Sequence, residues 1–382
     1  MRESLGEGRI KELDGLRAVA ILLVLIQHYV YSISGDAPLL AGMRPALATT
    51  WSGVDLFFVL SGFLIGGILI DNRRAPNVFG VFYLRRACRI LPLYLVMVGL
   101  YLALNAGGLV FNDWLLKAQL PAWSYLTFTQ NFFMVETSWF GAAWLGATWS
   151  LALEEQFYLV IPFVLVLAPR PVALILLVLG IVCAPFVRAY SDPLGAYILP
   201  LARADGLLLG VVIAFLVRSA IWRDHQSIWR RILLVALPAL AAFYVWQAIR
   251  MPNGGDPYNH LVFALFYATL LLSALVWRRA AVTAVFRAPL MRWIGGRSYA
   301  IYLLHKPVIG TVQDLLFDNP IPGLATGQEV AATVLSFALT LALAELSFRC
   351  LEGPFLRLGG RFKFATPKQT APVRAAASEA PS

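Results

Sequence analysis

Long apolar runs recur along the whole chain, separated by short polar segments. Each run is roughly 17 to 22 residues long, enough for a helix to cross a hydrocarbon core of about 30 Å. The runs are continuous and rich in Leu, which argues against the alternating ten-residue strands of a membrane barrel. We therefore predict an all-α polytopic transmembrane bundle of about ten helices. The predicted spans are residues 14–34, 54–70, 90–105, 146–167, 172–187, 200–217, 232–249, 260–277, 298–316 and 328–349.

The composition supports lipid as the main solvent. Of the 382 residues, 59% are hydrophobic and 14% are charged, and this apolar share exceeds that of soluble domains. We expect a cytoplasmic N-terminal segment over residues 1–12 and a membrane domain over residues 13–357. Residues 358–382 end in a stretch rich in Ala, Pro, Ser and Thr, which predicts a disordered cytoplasmic tail.

Basic residues are distributed unequally between the two sides of the predicted bundle. If the N-terminus is cytoplasmic, 25 of the 31 Lys and Arg residues lie in cytoplasmic segments, as the positive-inside rule requires. We therefore expect a multi-pass protein of the inner membrane with both termini in the cytoplasm. The net charge of +10 then reflects topology and contact with anionic membrane lipids, not nucleic-acid binding. The three cysteines are far apart and predict neither disulfides nor a metal site.

The longest connection, from Asn105 to Leu145, carries four tryptophans. Such aromatic residues are typical of the membrane interface. They are equally compatible with a lid over an acceptor site, since long loops often carry function. Both interpretations stay open at this point.

His28 and Arg17 lie eleven residues apart on the first predicted helix. At 100° per residue they differ by about 20° from whole turns, so they share a face, roughly 16 Å apart along the axis. An intramembrane histidine that titrates near neutral pH is a natural general base. A structural histidine, hydrogen-bonded between helices, is the alternative.

Arginines cluster before the third predicted span, in the segment FYLRRACRILPLY. Arg86 and Arg89 are spaced i, i+3, which points them the same way if helix 3 begins there. Together with Arg85 they offer guanidinium groups that suit phosphates. A purely topogenic cluster is the alternative.

Three carboxylates fall inside or at the edge of predicted spans: Glu154 and Glu155 in WSLALEEQFY, and Asp55 at the start of helix 2. Burying a carboxylate in a bilayer is costly unless it is paired or functional. By topology these acids lie at the depth of His28, so one of them is expected to orient the imidazole.

We interpret several other residues in the predicted spans as structural. Arg203 and Asp205 are interpreted as an intramembrane ion pair. His305 is interpreted as a structural histidine next to Lys306. Ser61 and Gly62 are expected to serve close helix packing.

These segments together resemble the acyltransferase-3 family of bacterial membrane O-acyltransferases, over roughly residues 10 to 357. The matching motifs, in order, are LDGLRAVAILLVLIQH, GVDLFFVLSGFLI, RRACRILPLY, WSLALEEQFYL, RADGLLLG, SYAIYLLHKP and LEGPF.

The resemblance implies that Arg17 and His28 are the family's essential arginine and histidine, and that Arg86 and Arg89 are its paired cytoplasmic arginines. It also implies acyl-coenzyme A, often acetyl, as the donor. Many relatives add an extracytoplasmic esterase-like domain; this chain ends after helix 10, so we expect a separate partner protein to supply such a domain if one is needed.

The resulting hypothesis is an O-acyltransferase that acts on a sugar or envelope glycan, with no tightly bound cofactor. The donor phosphates rest on Arg86, Arg89 and Arg17, and the thioester reaches His28 through one internal channel. A proton-coupled transporter is the main alternative, because intramembrane His, Glu and Asp also form proton relays. An acyltransferase for a small secondary metabolite, with the same chemistry and another acceptor, stays open as well.

Overall fold

The computed structural model describes residues 10–33, 42–43, 47–109, 112–117, 120–250 and 259–366. Within these ranges a helix coincides with each predicted span, and the all-α bundle is confirmed. The helices are α1 (Lys11–Ile26), α2 (Gly53–Asn72), α3 (Val78–Ala106), α4 (Trp149–Leu167), α5 (Arg170–Ala189), α6 (Ala204–Leu216), α7 (Gln226–Arg250), α8 (Asn259–Val276), α9 (Pro289–Phe317) and α10 (Gly327–Ser347).

Short helical pieces connect these helices. Those between α3 and α4 are Asp113–Leu116, Ala122–Leu126, Gln130–Glu136 and Ala143–Gly146. The others are Pro193–Ile198, Ala220–Asp224, Ala284–Arg287 and Gly353–Arg361, with 3-10 turns at Thr50–Ser52 and Ala281–Thr283. π-helical turns continue α1 over Gln27–Tyr31 and α10 over Phe348–Glu352.

Eight helices in the described part of the chain are long and apolar enough to cross a membrane. The other two, α6 and α9, differ from them in length or in charge. Helix α6 has only 13 residues, and α9 carries three basic residues, Arg292, Arg297 and Lys306. The chain is thus a multi-pass membrane protein.

Two helices begin nine or more residues earlier than predicted. Helix α3 starts at Val78 instead of residue 90, and α9 starts at Pro289 instead of residue 298. The prediction followed hydropathy, which falls where charged residues begin, whereas arginine is a good helix former. Arg86 and Arg89 therefore lie inside α3 and not at its start.

Glycines allow the closest helix contacts. A Cβ atom at Gly62 of α2 would overlap the Leu207 carbonyl of α6, and one at Gly210 would overlap the Val59 carbonyl of α2. The packing role predicted for Gly62 is confirmed. A Cβ at Gly295 of α9 would likewise overlap the Asp14 carbonyl, so α9 lies directly against α1 close to Arg17.

The predicted pair between Arg203 and Asp205 is wrong. The Arg203 Nη2 atom lies 2.9 Å from Asp55 Oδ1, and Asp205 Oδ2 lies 2.8 Å from Arg188 Nη2. Residues two apart at a helix start do not face each other, so each reaches a partner on another element. All four side chains are buried, and each charge is compensated.

The C-terminal segment stays ordered beyond the predicted boundary at residue 357. The helix Gly353–Arg361 is followed by Phe362, whose carbonyl accepts a hydrogen bond of 2.8 Å from Arg85 Nε. The Arg85 guanidinium also lies 4.9 Å from the centre of the Phe364 ring. The part of the predicted tail from residue 367 onward lies outside the described residues.

Candidate active site

Two cavities lie inside the described part of the bundle, and the first is rich in arginine. The empty volume of this arginine cavity, including the open solvent at its mouth, is about 770 Å³. Its charged lining residues come from three helices: Arg17 from α1, Arg86 and Arg89 from α3, and Glu154 from α4. Polar lining residues from α2, α4 and α9 are Ser61, Ser150, Tyr158, Ser298, Tyr299 and Tyr302.

A chain of hydrogen bonds crosses one wall of the arginine cavity. The Tyr158 hydroxyl donates to Glu154 Oε2 at 3.0 Å and is also hydrogen-bonded to the Ser61 hydroxyl. The Arg86 guanidinium lies 5.7 Å from the centre of the Tyr158 ring, which is a cation–π distance. Ser61, expected to serve only packing, is therefore part of this polar wall.

The neighbouring predicted residues have different positions. Arg85 does not line the arginine cavity; its side chain holds the C-terminal segment through Phe362. Glu155 lies outside the lining of both cavities, and its buried Oε1 atom has no hydrogen-bond partner among the described residues. Arg86 and Arg89, spaced i, i+3, line the same cavity, whereas Arg85, which was predicted to bind phosphate with them, does not line it.

The second cavity contains the candidate base. This histidine cavity has an empty volume of about 600 Å³. Its polar side chains include Gln27, His28 and Lys306. Most of its wall is aromatic, from Trp51, Phe140, Trp149, Tyr197 and Tyr302.

The geometry of His28 assigns its tautomer. Its Nδ1 atom lies 2.9 Å from the Val24 carbonyl oxygen, and a carbonyl only accepts, so Nδ1 carries the proton. The Nε2 atom then holds a lone pair, which is the form a general base requires. The expected carboxylate is not the group that orients this ring; the backbone carbonyl of Val24 does so, at the start of the π-helical turn Gln27–Tyr31. Such turns occur often at functional sites.

Helix α9 packs directly against this turn. The His305 ring centre lies 4.9 Å from that of His28, and the Tyr29 hydroxyl donates to the His305 carbonyl at 3.0 Å. The His305 Nδ1 atom donates to the Tyr302 carbonyl at 2.6 Å. His305 therefore supports the position of His28, in keeping with the structural role predicted for it.

The single channel expected between His28 and the arginines is divided in this structure. Arg17, Arg86 and Arg89 line one cavity and His28 lines the other, and the two cavities share Val54 and Tyr302 as wall residues. The Tyr302 hydroxyl donates to the Ala147 carbonyl at 2.9 Å and lies 2.6 Å from Ser150 Oγ. These contacts hold the Tyr302 ring between the two cavities.

Asp55 was predicted as a candidate to orient His28, and this prediction is wrong. Its Oδ1 atom lies 2.9 Å from Arg203 Nη2 and 3.8 Å from His260 Nδ1. His260 in turn contacts the Trp51 ring edge to face, and Arg203 lies over the Tyr197 ring at 5.4 Å. This buried cluster stabilises the aromatic wall of the histidine cavity. His260 was missed in the sequence, although it carries the same signal as His28, a histidine in an apolar span.

The aromatic connection before α4 combines the two roles that the sequence left open. Trp123 and Trp139 are exposed, as expected of an interfacial belt. Phe140, by contrast, lines the histidine cavity, and Trp114 lies near Lys306. This connection therefore covers one side of the histidine cavity.

Comparison with known proteins gives a consistent result. The sequence profile of a family described as an acyltransferase domain matches residues 10–345. A peptidoglycan O-acetyltransferase of Listeria monocytogenes is 27% identical over 377 residues, which cover 92% of this chain and 56% of that protein. An O-acetyltransferase of Staphylococcus aureus is 27% identical over 383 residues, covering 94% and 59%. The chain thus spans less than three fifths of these relatives. No solved structure matches the chain significantly.

Proposed function

Because the chain belongs to the acyltransferase-3 family of membrane O-acyltransferases, we propose that it transfers an acetyl group from acetyl-coenzyme A to a hydroxyl group of a cell-envelope glycan. The two named relatives are O-acetyltransferases, one of them for peptidoglycan. The observation that carries the proposal is the pairing of an arginine-lined cavity with an adjoining cavity that holds a histidine in the basic tautomer.

The arginine cavity is the proposed donor site. Coenzyme A carries three phosphate groups, and guanidinium groups bind phosphate oxygens through strong, charge-assisted hydrogen bonds. Arg86 and Arg89 lie one turn apart on α3, and Arg17 reaches the same space from α1. Glu154 is hydrogen-bonded by Tyr158 in this cavity, and the guanidinium groups of Arg86, Arg89 and Arg17 line the same space.

His28 is the proposed general base. Its Nε2 lone pair takes the proton from the acceptor hydroxyl while the hydroxyl oxygen forms a bond to the thioester carbonyl carbon. The tetrahedral intermediate then collapses, the carbon–sulfur bond breaks, and the coenzyme A thiolate leaves. The imidazolium returns its proton to the thiolate, so His28 ends the cycle in its starting form.

Tyr302 and Val54 lie on the proposed path of the thioester. The donor occupies the arginine cavity and the base lies beyond the shared wall, so the acyl end has to pass these two side chains. Hydrogen bonds to Ala147 and Ser150 hold Tyr302 in place, and a rotation of its ring would break them. We propose that this rotation opens the path when the donor is bound.

The proposed membrane orientation follows from the donor. Acyl-coenzyme A is cytoplasmic, so the arginine cavity faces the cytoplasm of the inner membrane and the histidine cavity faces outward. Arg85 is the neighbour of Arg86 in the sequence and holds the C-terminal segment through Phe362, which supports a cytoplasmic C-terminus if the arginine cavity faces the cytoplasm. A separate extracytoplasmic esterase-like partner remains part of the proposal for acceptors that the histidine cavity does not reach.

A labelling experiment tests the proposed function. Membranes that contain the chain are given radiolabelled acetyl-coenzyme A, and alkali-labile label is counted in the envelope glycans. We expect labelling by the native chain and loss of labelling by His28→Ala at equal protein level. His225→Ala is the matched control, because His225 is exposed and lies outside both cavities. Labelling retained by His28→Ala would reject the role of the histidine.

A further inference from the structure

The wall of the histidine cavity suggests which chemical class it binds. Trp51, Trp149, Tyr197 and Phe140 surround the space with flat aromatic faces. Such faces pack well against the C–H faces of a pyranose ring, whose hydroxyl groups remain at the rim. Sites for small molecules combine such apolar walls with a few placed polar groups.

Lys306 is an unusual polar group in this wall. Among the described residues, no carboxylate lies within ion-pair distance of its Nζ atom, and none of the residues lining the cavity is acidic. Its Nζ atom lies over the Trp114 ring, 6.0 Å from the ring centre, which is a cation–π distance. The side chain therefore lacks the anion that a cation within a membrane bundle requires.

Two buried arginines of the cluster behind the aromatic wall, Arg203 and Arg188, are compensated. Arg203 has Asp55 at 2.9 Å, and Arg188 has Asp205 at 2.8 Å. These pairs are closed within the protein, whereas Lys306 opens onto a cavity. The contrast indicates that the missing anion is part of a ligand.

The position of Lys306 fits an acceptor and not a donor. A Cβ atom built at Gly146 would lie 3.6 Å from Lys306 Nζ, so the ammonium group points to the connection that covers the cavity. The adjacent His305 contacts the His28 ring. If the charged substituent of a sugar ring binds Lys306, one of the hydroxyl groups of the same sugar can therefore point to His28.

We propose that the histidine cavity binds the acceptor as a pyranose ring with an anionic substituent, a carboxylate or a phosphate, which pairs with Lys306. The inference rests on the proposed function and adds the chemical class of the acceptor. Lys306 is then a specificity-determining residue, because a neutral sugar of the same shape leaves its charge uncompensated.

A binding experiment tests this proposal without requiring catalysis. Tryptophan fluorescence of the full chain in detergent is titrated with methyl β-D-glucuronide, with methyl β-D-glucoside, and with the glucoside carrying a 6-phosphate. The first two differ only in the carboxylate, and the third distinguishes the two anionic groups. We expect at least one anionic sugar to bind about tenfold more tightly than the neutral one, as a charge-assisted hydrogen bond implies.

Substitutions of Lys306 test whether this residue causes the preference for the anionic sugars. Lys306→Met should bind all three sugars with the weak affinity of the neutral one, and Lys306→Arg should keep the preference. Lys117→Met is the matched control, because Lys117 is an exposed lysine paired with Asp113, and it should behave like the native chain. Equal affinity of the native chain for all three sugars, or a preference retained by Lys306→Met, would overturn the proposal.

A transfer assay with the same sugars separates the two proposals. If Lys306→Met lowers acetyl transfer to the neutral and the anionic sugar by the same factor, Lys306 acts on the reacting carbonyl and the specificity role is rejected. If the native chain binds the anionic sugar preferentially but transfers no acetyl group, the proposed function fails, and only the binding site for an anionic sugar at Lys306 still stands.

Discussion

The arginine cavity and the histidine cavity are neighbours with different chemistry. The arginine cavity takes charged side chains from α1, α3 and α4 and carries three cations and one acid in its lining. The histidine cavity takes aromatic rings from α4, α9 and the connecting segments, and its lining has no acid. Each cavity therefore suits one substrate: the arginine cavity a polyanion with a flexible tail, and the histidine cavity a compact ring.

The largest effect is expected at the cluster that supports the aromatic wall. Asp55→Asn leaves the Arg203 guanidinium buried without a counter-charge, which should lower the free energy of unfolding by about 3 to 5 kcal/mol. Thermal unfolding in detergent measures the change. Asp71→Asn is the matched control, because Asp71 pairs with Arg218 in a half-exposed position. Equal effects of both variants would show that the Asp55 cluster has no special structural role.

The second effect concerns the donor only. The double variant Arg86→Gln with Arg89→Gln removes two charge-assisted phosphate contacts and should raise the KM for acetyl-coenzyme A about 100-fold or more. The KM for the acceptor should not change. Arg230→Gln, an exposed arginine outside the cavity, should leave both values unaltered. A rise in the acceptor KM alone would reverse the assignment of the two cavities.

The third effect concerns the acceptor only. Trp51→Leu removes one aromatic face of the histidine cavity and should raise the acceptor KM about threefold to tenfold, the range of a single aromatic contact. The KM for acetyl-coenzyme A should stay constant in the same steady-state assay. A variant with unchanged acceptor KM would remove Trp51 from the binding surface.

The smallest effect is expected at the shared wall. Tyr302→Phe keeps the ring but loses the contacts with Ala147 and Ser150, each worth about 0.5 to 1.5 kcal/mol. The ring should rotate more easily, and we expect kcat to rise by up to about tenfold with both KM values unchanged. A lower kcat in the same assay would mean that the hydroxyl takes part in transfer and does not merely hold the ring.

Much of the fold follows from sequence because it depends on local properties. Apolar run length predicted all ten helix positions, and the i, i+3 spacing placed Arg86 and Arg89 together in one lining. Partners across helices did not follow in the same way. Asp55 pairs with Arg203 and His260 because α2, α6 and α8 meet at that depth, and no local pattern in the sequence encodes that meeting.

The surroundings of His28 likewise could not be predicted from local sequence patterns. Its presence in an apolar span pointed to function, but its orienting group is the Val24 carbonyl, which a search for carboxylates does not find. The division of the channel depends on the rotamer of Tyr302, one aromatic residue among many in the spans. Side-chain conformations of this kind follow from tertiary packing, not from local periodicity.

Transfer across the membrane is the most direct test that the two cavities serve opposite faces. The chain, tagged at its C-terminus to report orientation, is placed in sealed right-side-out and inverted vesicles. Acetyl-coenzyme A is supplied on one face, and methyl β-D-glucuronide on the other. We predict acetylated sugar only when acetyl-coenzyme A is on the face that carries the C-terminus and the sugar is on the opposite face. Acetylation with both substrates confined to the same face would contradict the division of the site between two cavities.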